Sequence, residues 1–69
     1  MLTSVTKRQF MEIIEKFPKN VKRKSFLNIH FSGSEWFDNE KLIAKDNYNR
    51  VTCRTTYLVE DTYEPANTL

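Results

Sequence analysis

The chain has 69 residues, with 11 Lys/Arg against 9 Asp/Glu, a net charge of +2, one cysteine, one histidine and one glycine. A chain this short builds one small core, worth rarely more than about 3–5 kcal/mol without a disulfide, a metal or a partner subunit. Cys53 alone forms no internal disulfide, and His30 is the only histidine beside it, with no CxxC or HxxxH spacing for zinc.

The first element in the chain is also the best specified. Thr6 and Gln9 have the spacing of a capping box, and Val5 and Phe10 that of a hydrophobic staple. Phe10, Ile13, Ile14 and Phe17 recur at i, i+3, i+4 and i+7, and Pro18 stops the run. The pattern predicts an amphipathic helix over 7–17, too short to stand without packing on something.

Next comes PKNVKRK, from Pro18 to Lys24, which reads as a basic connector leading into a strand over 26–31. In that strand Leu27, Ile29 and Phe31 share one face, and Phe26, Asn28 and His30 the other. Ser32-Gly33-Ser34 breaks the alternation, and Ser32 with Glu35 could cap a single helical turn near 34–39. Residues 41–45 (KLIAK) read as a short strand and 46–49 as a loop. Residues 50–60 alternate strictly, with Val51, Cys53, Thr55, Tyr57 and Val59 on the expected core face and Arg50, Thr52, Arg54, Thr56 and Leu58 opposite. No periodicity marks 61–69, which is expected to be a flexible tail. The expected fold is α+β, one N-terminal amphipathic helix packed on a small three-stranded antiparallel sheet (αβββ), all in one domain over 1–69.

No apolar run approaches the roughly 18 residues of a membrane span, and MLTSVTKRQF lacks the apolar stretch of a signal peptide. The expectation is a cytoplasmic protein that engages no membrane. Charge is uneven along the chain, with residues 1–34 at +5 and residues 35–69 at −3, a pointer to an interaction surface. Lys, Asn, Ile, Phe and Tyr total 25 residues against 9 of Gly, Ala, Pro and Arg, the bias of an AT-rich coding sequence such as those of phages and mobile elements.

Three segments invite a role. Lys19, Lys22, Arg23 and Lys24 could neutralise phosphates, or simply be a solvated connector placing cations near a helix C-terminus. Arg50, Arg54 and Thr56 form a polar strand face open to a partner, or an ordinary solvated sheet surface. Trp36 and Phe37, set among Glu35, Asp38 and Glu40, resemble an interface hot spot, although so small a core needs at least one of those rings. Cys53 and His30 fall on opposite strand faces and are not expected to pair as nucleophile and base. Cys53 is expected to be a buried, inert thiol. With no catalytic constellation and no glycine-rich loop, the chain reads as non-enzymatic, without cofactor or metal.

The leading expectation is a protein-binding regulator or inhibitor that occludes a surface of a larger host or self-encoded protein through Trp36, Phe37, Arg50, Arg54 and Thr56, or acts as a homodimer. The alternative is a small nucleic-acid-binding module using Lys19, Lys22, Arg23 and Lys24 together with the Arg50/Arg54 strand face.

Overall fold

A computed structural model describes residues 1–61. Of the expected flexible tail over 61–69, all but Asp61 lies outside the described residues. The element order is β1 (Leu2–Val5), α1 (Lys7–Glu15), β2 (Lys22–Leu27), β3 (Phe31–Asp38), β4 (Lys41–Asn49) and β5 (Arg54–Glu60). All strands join one antiparallel sheet in the order β1-β5-β4-β3-β2. The class is α+β, as the sequence indicates, but the sheet has five strands where three were expected.

The helix forms as its sequence dictates. Thr6 Oγ1 accepts from the Gln9 amide at 3.1 Å, and Gln9 Oε1 accepts from the Thr6 amide at 3.1 Å, completing the capping box. Regular helix ends at Glu15, two residues earlier than expected, because the last amides tighten: Lys16 N–H donates to Ile13 and Phe17 N–H to Ile14. Residues 2–5, which carry no strand signature of their own, pair with β5 over Leu2↔Glu60 to Val5↔Tyr57.

The cationic stretch is the second difference. Lys22, Arg23 and Lys24 are the first three residues of β2 and not a loop. Only residues 16–21 connect, closed by the Val21 amide bonding to Pro18. The expected strand over 26–31 is in fact the end of β2, a turn and the start of β3. Asn28 makes that turn, its Oδ1 accepting from the His30 and Phe31 amides at 3.0 and 2.8 Å. The segment 34–39 is strand to Asp38, with no helical turn, and 46–49 continues β4.

Between β3 and β4 the chain reverses through Asn39 and Glu40, at φ 52° and 72°. Two successive left-handed residues are the mark of a type I′ hairpin, whose twist matches that of the strands. Asparagine suits such a position and glutamate does not. Glu40→Gly is therefore expected to raise stability by about 1 kcal/mol in a chemical denaturation curve. An unchanged midpoint would show that the turn carries no such strain.

Strand alternation divides the sheet into two faces. On one face, Arg23, Trp36, Ala44, Val59 and Thr3 form a row across all five strands, and Ser25, Ser34, Asp46, Tyr57 and Val5 form the next. The helix lies on this face. Phe10, 1% exposed, meets Ala44 and Val59, with Val5, Ile13, Ile14, Phe17, Trp36 and Tyr57 packed around it. Its ring lies 5.4 Å from Trp36, edge-on, and 5.1 Å from Tyr57. A β-bulge shifts the register at Trp36/Phe37, and Ile43, unmatched in that pairing, is buried.

The core thus uses Tyr57 and Val59 as expected, but not Val51 or Cys53. Both belong to the turn before β5 and are exposed. Asn49 organises this turn, its Oδ1 accepting from the Val51 and Thr52 amides while its carbonyl accepts from the Cys53 amide. Cys53 adopts φ 59° to rejoin the sheet.

Candidate functional site

The helix-free face carries the densest chemistry. Alternation sends Lys22 and Lys24 of β2 to this side, together with Phe26. Phe37 and Glu35 arrive from β3, Lys45 and Leu42 from β4, and Arg54, Thr56 and Leu58 from β5. The Lys24 ammonium stands 5.5 Å from the Phe37 ring centre, and that of Lys45 stands 5.1 Å from the Phe26 ring centre. Both are within the reach of cation–π attraction. Lys45 is also 3.7 Å from the Glu35 carboxylate, so one cation of the face is partly neutralised. Lysine–ring pairs between strands, Lys24 reaching the adjacent β3 and Lys45 reaching across β3 to β2, are invisible in linear sequence, where no aromatic separates Lys19 from Lys24.

The four cations of the basic segment divide by position. Lys22 and Lys24 belong to this face, whereas Lys19 sits in the preceding turn. Arg23 turns to the helix side. Its Nε donates to the buried Ser34 hydroxyl at 3.0 Å, and its guanidinium lies 5.7 Å from the Trp36 ring centre. The Ser34 amide in turn donates to Asp46 Oδ1 at 2.6 Å. Arg23 therefore ties the edge strand to the core.

Trp36 and Phe37, adjacent in sequence, occupy opposite faces. Trp36 packs on Phe10, and Phe37 is half-buried on the open side under Lys24. Arg54 and Thr56 share that open side, while Arg50 belongs to the turn before β5. The five residues expected to form one partner surface are therefore spread over three regions.

One of these regions is the end of the sheet where both Asn-built turns meet. The Arg50 amide donates to the His30 carbonyl at 2.8 Å, and Arg50 Nη1 to the Asn28 carbonyl at 3.4 Å, joining the turns. Leu27, Ile29 and Val51 are 74%, 83% and 73% exposed there. The nearby Tyr48 phenol is held above its ordinary pKa, chiefly by its hydrogen bond with Cys53. This apolar cluster went unread in the sequence, because Ile29 and Val51 fit an alternating strand pattern as core residues. The two asparagines preceding them, both good turn formers, were the available signal.

At the opposite end, Asn20, Lys22, Lys24, Phe37, Asn39 and Glu40 line a concavity of about 520 Å³. Among the described residues no group of three or more His, Cys, Asp or Glu side chains could hold a metal ion, and no helix is long and apolar enough to cross a membrane. The chain matches no family model, no curated protein and no solved structure.

Proposed function

We propose that this protein binds single-stranded nucleic acid on the helix-free face of its sheet, without catalysing a reaction. The observation that carries the reading is the interleaving of cations and rings on three adjacent strands, with Lys24 over Phe37 and Lys45 over Phe26. Single-strand binders combine a cationic track for phosphates with aromatic rings on which bases stack. A lysine poised over a ring can move to a phosphate as a base takes its place. A duplex offers no unstacked base faces to such rings, and among the described residues α1, the only helix, is committed to the core on the other side.

Fluorescence anisotropy with a labelled mixed-sequence single strand and its duplex, from 50 to 200 mM salt, tests the reading. About three phosphate contacts give a slope of log K against log salt near −2 for a single strand. The variant with Lys22, Lys24 and Lys45 all changed to Ala should lose about tenfold or more in affinity with its circular dichroism unchanged. Equal binding by the triple variant, or none by the native chain at 50 mM salt, would overturn the proposal. A protein-binding regulator is the second reading, favoured by the exposed cluster of Leu27, Ile29 and Val51. Capture of a partner that is lost on Ile29→Asp, without any affinity for single strands, would put it first.

A further inference from the structure

The concavity at the β3–β4 turn has features that the rest of the open face lacks. The Phe37 ring lines it, with the Lys24 ammonium over that ring at 5.5 Å from its centre, and Lys22 is a second lysine on the same strand. Two side-chain amides and one carboxylate complete it, on Asn20, Asn39 and Glu40. Its volume, about 520 Å³, falls in the range of small-molecule sites, roughly 300–1,000 Å³. The rim is held in place. The Asn20 amide donates to Asp38 Oδ1 at 2.9 Å, and Asn39 and Glu40 are fixed by the left-handed turn that carries them.

Glu40 is the informative residue. A carboxylate disfavours phosphate near it but accepts well from base N–H groups. Its place beside two lysines gives the concavity polarity, with phosphate toward β2 and base edge toward the turn. The strained backbone at Glu40 also fits a position kept for its side chain, since glycine would suit the turn better.

We propose that this concavity is a single-nucleotide subsite of the strand-binding face, and that it favours guanine. The base stacks on Phe37, its 5′-phosphate lies between Lys22 and Lys24, and Glu40 accepts from the base edge. Guanine alone presents two adjacent donors, N1–H and the N2 amino group, to a carboxylate. Uracil presents one. The inference rests on the single-strand reading above, and it adds a site and a preference that a uniform basic face would not have.

The test uses the full chain, labelled with ¹⁵N and titrated with guanosine 5′-monophosphate, uridine 5′-monophosphate and inorganic phosphate. Guanosine monophosphate should shift the Asn20 and Asn39 side-chain amides and the Phe37 and Glu40 backbone amides. It should bind about fivefold or more tighter than uridine monophosphate, as a bidentate contact allows. Glu40→Gln should abolish that preference while keeping the signal dispersion of the folded chain. Phe37→Leu should weaken both nucleotides and leave the response to phosphate unchanged.

Equal responses to all three probes, or a guanine preference that survives Glu40→Gln, would overturn the inference. Anisotropy with a single-stranded oligonucleotide separates the two levels. Normal oligonucleotide binding with no response at the concavity removes the subsite and leaves the face reading standing. No oligonucleotide binding removes both.

Discussion

Alanine at position 33 is expected to cost about 3 kcal/mol, the upper end of what overpacking costs, and to leave much of the population unfolded. A Cβ built on Gly33 would lie 2.2 Å from the Asp46 carbonyl oxygen, 2.6 Å from its Oδ1 and 3.0 Å from its carbonyl carbon. Two of those atoms are backbone and cannot swing aside like the end of a side chain. Relief requires β3 and β4 to separate at the centre of the sheet, where Gly33 pairs with Asn47 and Ser34 with Asp46. It would also loosen the bond from the Ser34 amide to Asp46 and, through the Ser34 hydroxyl, the hold of Arg23 on β2. A urea curve should show a lower midpoint with little change in slope. A shift below about half a kcal/mol would mean that the two strands lie far enough apart to admit a methyl group.

Phe10→Ala should lose still more, about 4 kcal/mol, which approaches the whole stability of so small a domain. Phe10 is the only helix residue that is fully buried, and it touches three strands through Trp36, Ala44, Tyr57 and Val59. Ala44 and Val59, the buried side chains that meet the ring, are too short to fill the cavity it would leave. Trp36 is the sole tryptophan and stacks edge-on against Phe10, so its fluorescence follows the core directly. Phe10→Leu keeps most of the volume and should lose much less. Similar melting of the alanine and leucine variants would show that the ring fills no essential space.

The helix was legible because its information is local. Thr6, Gln9, Val5 and Phe10 lie within five residues of one another and act on one another directly. The side-chain parity of Arg54 to Val59 was legible for the same reason. Residues 41–45 were also read correctly as strand, the first part of β4, but the other strands were not. Lys22, Arg23 and Lys24 have weak strand preference of their own, and they extend because β3 offers them backbone partners. The reversal at Asn39 and Glu40 lacks the glycine that would have marked it, and the one glycine serves a close approach between strands instead. That cost the reading one hairpin and turned Trp36 and Phe37 into neighbours on a single surface. Of the candidate site, the cations Lys19, Lys22, Arg23 and Lys24 were found as a cluster, without Lys45. Their division between the two faces, and the rings beneath Lys24 and Lys45, follow only from register.

The single residue between β1 and α1 has a consequence for how the chain reaches its native state. Strands β2 to β5 form a run of neighbouring hairpins whose contacts close short loops, and such contacts form quickly. The pairing of Leu2 with Glu60 instead joins nearly the two ends of the described chain. Thr6 alone separates that strand from the helix bearing Phe10, so neither can dock far ahead of the other. Joining the chain ends and seating the central ring are therefore expected to be one event, coming after the meander, with closure of the largest loop coupled to the burial of Phe10.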